Sequence, residues 1–182
     1  MMKRRAGGDS EIEKKFAQGQ RLQARERYDD AESRYRKVLA VNPAHIGALT
    51  GLTQCLIAAK REGDAVGVLD RAAKDAGEDL HYMFDLAGLC ASVKHTARAR
   101  SLYERVLERD PDNVATLLNL GTILDDDGET QRAVDLISRA IELRPMSARA
   151  YGMLGEVRTG TPPSDEAMAC HLALIHIAEP TK

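Results

Sequence analysis

Tryptophan is absent from this chain, and five tyrosines and two phenylalanines are its only aromatic residues besides histidine. A core built around large rings is therefore excluded, and Leu, Ala, Val and Ile must fill the interior. Cysteine is also scarce. Cys55, Cys90 and Cys170 are odd in number, far apart and without a Cys-x-x-Cys pair, which excludes a disulfide framework and a structural zinc site. Each sits among apolar neighbours, so each reads as a small buried hydrophobe. No charge of one sign dominates: 26 basic residues face 28 acidic ones, for a formal charge of −2. This balance gives no basic face for nucleic acid beyond Lys3-Arg4-Arg5. That trio is followed by Ala6-Gly7-Gly8-Asp9-Ser10 where a leader would be apolar. No run approaches the roughly 18 apolar residues of a membrane helix. The expectation is a cytoplasmic protein that binds neither nucleic acid nor membrane, with residues 1–10 as a disordered tail.

What is present is a period. Ala31, Ala65, Ala99, Ala133 and Ala167 recur every 34 residues. Four residues later stand Tyr35, Leu69, Tyr103, Ile137 and His171, and three further on Val38, Ala72, Val106, Ala140 and Leu174. Twelve residues before each alanine lie the small residues Gly19, Thr53, Ala87, Gly121 and Gly155. Pro43, Gly77, Pro111 and Pro145 close successive copies, and only the last copy, at Glu179, departs. Small residues recur where two helices cross closely, since a large side chain would push the backbones apart. Larger apolar residues three and four apart make one buried stripe per helix. The closing Pro or Gly stops the second helix of each copy. Turns within copies read Tyr28-Asp29-Asp30, Arg61-Glu62-Gly63-Asp64 and Asp125-Asp126-Asp127-Gly128-Glu129. Ser10 with Glu13 is read as a capping box for the first helix.

The spacing resembles the tetratricopeptide repeat family, most closely in the fourth copy: Leu117, Leu120-Gly121, Ala133, Ile137, Ala140 and Pro145. The family's favoured tryptophan is replaced by Lys15, Leu49, Met83, Leu117 and Tyr151. The resemblance covers about residues 12–179, with repeats near 12–45, 46–79, 80–113, 114–147 and 148–179 of a domain over 11–179. It implies an all-α, right-handed solenoid of about five antiparallel helix pairs. First helices are expected near 11–26, 45–60, 79–93, 113–126 and 147–158.

Such arrays hold a peptide or helix of a partner in a concave groove lined by first helices, so the resemblance implies a protein-interaction module. Projection outward from the buried stripe gives its lining. Phe16, Gln20 and Gln23 come from the first copy, Thr50, Gln54 and Ile57 from the second, and His81, Phe84 and Asp85 from the third. Leu118, Asn119 and Thr122 follow from the fourth and Arg149, Met153 and Glu156 from the fifth. This mostly uncharged surface suits a mixed peptide or amphipathic helix. Members that clamp chaperone carboxyl termini use Lys, Asn and Arg where this chain has Phe16, Gln20, Gly51, His81 and Asp85. Asp85 would repel a carboxylate, which argues against that partner.

Neither catalysis nor a cofactor is expected. An Asp125–Glu129 calcium loop would end near Leu136 where a bidentate glutamate is needed. His171 and His176, beside Cys170, point to different helix sides. His81 and Asp85 form an i,i+4 pair, but no nucleophile accompanies them. At the carboxyl end, Thr159-Gly160-Thr161-Pro162-Pro163 precedes a helix capped by Ser164 or Asp165. That helix ends in the apolar Leu172–Ala178 stretch, which marks a continuation, a self-association contact or an aggregation-prone face. Residues 172–182 also look like the translation of a transposon-derived sequencing adapter, which implies a longer native chain. The earlier copies resemble amino-terminal arrays of bacterial sulfotransferase-like proteins. The alternative reading is thus the docking array of a larger transferase whose catalytic domain lies beyond residue 182.

Overall fold

The computed structural model describes residues 3–159, with side chains from Ser10 to Val157. The described residues form helices and turns, without a strand: α1 (Lys3–Gln23), α2 (Tyr28–Leu39), α3 (Ile46–Ala58), α4 (Glu62–Lys74), α5 (Leu80–Ser92), α6 (Thr96–Arg109), α7 (Val114–Asp126), α8 (Thr130–Leu143) and α9 (Ala148–Thr159). The chain is all-α and built of helical repeats. It divides into two compact units, residues 1–102 and 103–182, with α6 running across the division.

From the second copy on, each first helix starts on a polar side chain, and these caps keep the repeat phase. His45 Nδ1 accepts from the Ala48 N–H at 3.1 Å, Asp79 Oδ1 from Tyr82 at 3.0 Å, Asn113 Oδ1 from Thr116 at 3.1 Å, and Ser147 Oγ from Ala150 at 3.3 Å. Each satisfies one of the amide groups that a helix start leaves without a partner. The opposite ends are equally regular. Glu26, Lys60, Lys94 and Gly128 take left-handed conformations, with φ of 58°, 58°, 61° and 82°. Around each, the chain closes the same pair of hydrogen bonds. In the second copy the Arg61 N–H reaches the Leu56 carbonyl at 2.8 Å and the Lys60 N–H that of Ile57 at 2.8 Å. This double closure caps the helix and reverses the chain. The following helices α2, α4 and α8 begin without a side-chain cap. Ion pairs span their first turns instead: Arg27–Asp30, Arg61–Asp64 and Arg132–Glu129.

In the first unit α1 packs on α2 and α3, α2 on α3, α3 on α4 and α5, and α4 on α5. In the second unit α7 packs on α8 and α9, and α8 on α9. The recurring alanines make these crossings: Ala31, Ala65, Ala99 and Ala133 are all at most 1% exposed. Gly19, Thr53, Ala87 and Gly121 are buried as well. Tyr35, Leu69, Tyr103 and Ile137 fill the space between. Neighbouring second helices are tied by ion pairs, Arg61 to Glu32 at 2.9 Å and Arg98 to Asp70 at 2.7 Å in the first unit, and Arg132 to Glu104 at 3.8 Å in the second.

The start of the chain differs from the sequence expectation. α1 begins at Lys3 rather than near residue 11. Ser10 therefore lies inside the helix and does not cap it. A nucleated helix gains a hydrogen bond for each residue added, and Gly7-Gly8 weakens that propagation without ending it. The residues expected to form the second helix of the last copy lie outside the described residues. So do Ala167, Cys170, His171, Leu174, His176, the proline loop's Gly160–Pro163, and the adapter-like Leu172–Lys182.

Candidate functional site

The exposed faces of the first helices carry the residues expected to meet a partner, and in the first unit they gather around a buried ring. Tyr35, on α2, passes its side chain between α1 and α3 where both are glycine. A methyl group built on Gly19 would stand 2.7 Å from Tyr35 Cε1, and one on Gly51 closer still. Burial, with a smaller contribution from the Cys55 thiol nearby, pushes the Tyr35 hydroxyl up to about 12, so it stays a donor. It donates to Gln23 Oε1 at 2.6 Å, and Gln23 Nε2 donates to Gln54 Oε1 at 2.8 Å. The relay has a direction. Each acceptor oxygen is taken by the group before it, so the Gln54 amide N–H groups are left facing outward on α3.

The second unit has a related arrangement. Asn119 Nδ2 donates to the Tyr103 hydroxyl at 3.1 Å, and Arg149 donates to Asn119 Oδ1 at 3.2 Å. The exposed guanidinium of Arg149 again presents donors outward. The structure thus joins Gln23 with Gln54, and Asn119 with Arg149. His81 and Asp85 approach to 3.7 Å along α5, as their spacing requires. Gln20, Ile57, Thr122 and Glu156 are exposed, and Thr50 and Phe84 half-buried. The hydroxyls of Thr50 and Thr122 return to their own helices, at the carbonyls of Ile46 and Leu118.

Three expected lining residues are placed otherwise. Leu118 is 4% exposed and packs in the core of the second unit with Ile137 and Ala150, so it lines no surface. Met153 is partly buried against the same cluster. Phe16 is drawn into the α1–α3 junction, its ring 4.7 Å from that of His45 and 6.0 Å from that of Tyr35. The cause is common to all three. A helix in a stack buries one face on its own partner and another on the next pair, so its covered stripe is wider than a lone amphipathic pattern suggests.

The tyrosine hydroxyls were missed from sequence, where Tyr35 and Tyr103 read only as large apolar residues. The available signal was the substitution itself: a buried tyrosine in a place that Leu69 and Ile137 also fill needs a partner for its hydroxyl. Cys55 and Cys90 are buried, and desolvation raises both thiols, that of Cys90 to about 11. Neither has the lowered pKa of a nucleophile. Among the described residues no three His, Cys, Asp or Glu side chains converge as a metal site, and no helix is long and apolar enough to cross a membrane.

Known proteins repeat this architecture. A probable UDP-N-acetylglucosamine–peptide N-acetylglucosaminyltransferase, SPINDLY, of Hordeum vulgare is 26% identical over 157 residues, covering 82% of this chain and 17% of that protein. The chain spans less than a fifth of the length of the curated relatives it matches. Among solved structures, MamA of Desulfovibrio magneticus RS-1 superposes with a TM-score of 0.60 at 17% identity, covering 91% of this chain and 93% of that one. YrrB, described as a tetratricopeptide repeat protein with an unusual peptide-binding site, gives a TM-score of 0.56 at 16% identity, over 91% and 86%. These likenesses are of fold. The tetratricopeptide repeat model itself matches residues 22–89 and 93–157, most of the chain, and the chain belongs to the tetratricopeptide repeat family.

Proposed function

We propose that this chain is a protein-interaction module that holds a peptide or helix of a partner along its first helices and performs no catalysis of its own. The observation that carries the reading is the tyrosine-anchored amide relay from Tyr35 through Gln23 to Gln54. Its counterpart is Asn119 with Arg149. Side chains already tethered lose little freedom on binding, so their outward N–H groups are ordered in advance for a partner's carbonyl or carboxylate oxygens. YrrB's described peptide-binding site supports a partner of this class. Gln20, Thr50, Ile57, His81, Phe84, Asp85, Thr122 and Glu156 complete the proposed contact surface in their respective units, and the cytoplasm is the proposed location. Peptides selected from a random library against the whole chain provide the test. Replacing Gln54, Asn119 and Arg149 by alanine together should weaken capture about tenfold or more, equivalent to about 1.4 kcal/mol. Helicity should be unchanged. Undiminished capture refutes the assignment.

A second reading is favoured by the barley relative, a transferase far longer than the matching segment. In it the repeats are the docking array of a larger enzyme, of which the sulfotransferase-like kind is one form. A genomic reading frame continuing into a transferase domain supports this reading, and a frame without one refutes it. Self-association through the apolar Leu172–Ala178 stretch is a separate proposal, which a strict monomer in light scattering over a concentration series dismisses.

A further inference from the structure

The first unit contains a cleft that the groove residues do not touch. It encloses about 520 Å³ between the C-terminal parts of α2 and α4, beside the Asn42-Pro43-Ala44 turn. Leu39, Leu52, Val68 and Tyr82 give it apolar walls. α3 contributes Leu52 here, whereas Thr50, Gln54 and Ile57 lie on another side of that helix, as 3.6 residues per turn requires. Size and composition match ligand sites, which are mostly apolar with a few placed polar groups.

Three charged groups line the cleft. Arg36 and Arg71 come from the last turns of α2 and α4, and Asp75 follows α4 directly. The Nε of Arg36 is engaged by Glu32 at 2.8 Å. Arg71 is exposed and makes no ion pair with a described residue. Arg36 is thus compensated by Glu32, and Arg71 is the guanidinium left to receive an anionic group. A guanidinium pairs best with a planar carboxylate through two parallel N–H donors. Asp75 sets the limit on the other side, because a second carboxylate on the occupant would meet it. The cleft therefore fits one acidic group attached to an apolar body. The neighbouring turn favours a peptide as the carrier: the Asn42 side chain already accepts from the Ala44 N–H at 3.2 Å, which leaves its own amide N–H groups as donors.

We infer that this cleft is a second docking site, for a linear segment of a partner protein in which a bulky apolar residue neighbours a single acidic one. It does not depend on the first-helix groove, and its test separates the two. A fluorescein-labelled Gly-Ser-Glu-Leu-Phe-Gly-Ser peptide, titrated with the whole chain and followed by anisotropy, should bind saturably. Arg71→Glu should weaken it about tenfold or more, as should replacing the peptide's Glu by Lys. Val68→Trp, which fills the cleft, should abolish binding while circular dichroism stays unchanged. Gln54→Ala should leave it intact. Failure of the Glu peptide to bind, or equal binding of the Lys peptide, overturns the inference. A loss produced by Gln54→Ala and not by Arg71→Glu places the peptide in the groove and overturns it too. Displacement by free octanoate as effective as by unlabelled peptide assigns the cleft to a small carboxylate and overturns the peptide occupant.

Discussion

Three of the four left-handed ends of the first helices carry a residue with a side chain, and relieving that strain is the sharpest test of this backbone. Glu26, Lys60 and Lys94 hold φ near 60°, while the fourth copy places Gly128 there. For a residue with a Cβ, this conformation costs roughly 1–2 kcal/mol. Glycine adopts it freely but loses more entropy on folding, which returns roughly 0.5–1 kcal/mol. Lys60 is exposed and makes no ion pair with a described residue, so no contact is lost with its side chain. The balance for Lys60→Gly is a gain of about 0.5–1 kcal/mol. With Lys94→Gly and Glu26→Gly the gains should add, since the sites lie in different copies. Urea titration followed by far-ultraviolet circular dichroism should show the midpoint rise with an unchanged slope. The reciprocal change, Gly128→Ala, should lower stability by about 1 kcal/mol, because Gly128 has open space around it and only its backbone is at stake. If Lys60→Gly instead destabilises by about 1 kcal/mol, as glycine does within a helix, the left-handed assignment is refuted.

Other perturbations bear on separate parts of the molecule. Gly51→Ala should destabilise the first unit by about 1–3 kcal/mol through its clash with the Tyr35 ring. Tyr35→Leu should recover part of that loss, as the Leu at the equivalent place, Leu69, suggests; a purely additive double variant would contradict the contact. Asp70 is held below the usual carboxylate range, first by its hydrogen bond from His95 and then by that from Arg98. A carboxylate lowered in the folded state stabilises above its unfolded pKa and loses that contribution as pH falls through the folded one. The stability difference between wild type and Asp70→Asn, at most about 1 kcal/mol at neutral pH, should therefore shrink on titration below about pH 4. A difference independent of pH would remove the ionised pair from the explanation. Finally, in a Cys170→Ser background, Cys55 and Cys90 should react with a thiol reagent only at the rate of unfolding, because burial both hides and protonates them. Fast labelling under native conditions would show that the core opens.

Much of this fold was legible because a period survives individual substitutions. The alanines at 31, 65, 99 and 133 are all buried on the second helices, and the starts of α3, α5, α7 and α9 fall within one residue of expectation. His45, Asp79, Asn113 and Ser147 were equally available as a phased set of caps, but their chemical variety hides them from a search for like residues. The site was less legible. Which exposed residues stand free depends on how the next pair covers a helix, and Leu118 shows that a residue adjacent to the buried stripe can belong to it. The amide relay joins positions 12 and 31 apart in sequence, separations that no local pattern encodes.

A self-similar chain risks docking a helix on the wrong copy of its neighbour, since every copy offers nearly the same apolar stripe. The ring of Tyr35 guards against this error. The residues in register with Gly51 on the later first helices are Asp85, Asn119 and Met153, so none of them leaves the gap that lets the Tyr35 ring lie against the α3 backbone. Where Asn119 stands, the Tyr103 hydroxyl is met by an amide instead, so a missing side chain gives the α2–α3 pair a fit of its own in an otherwise repetitive chain.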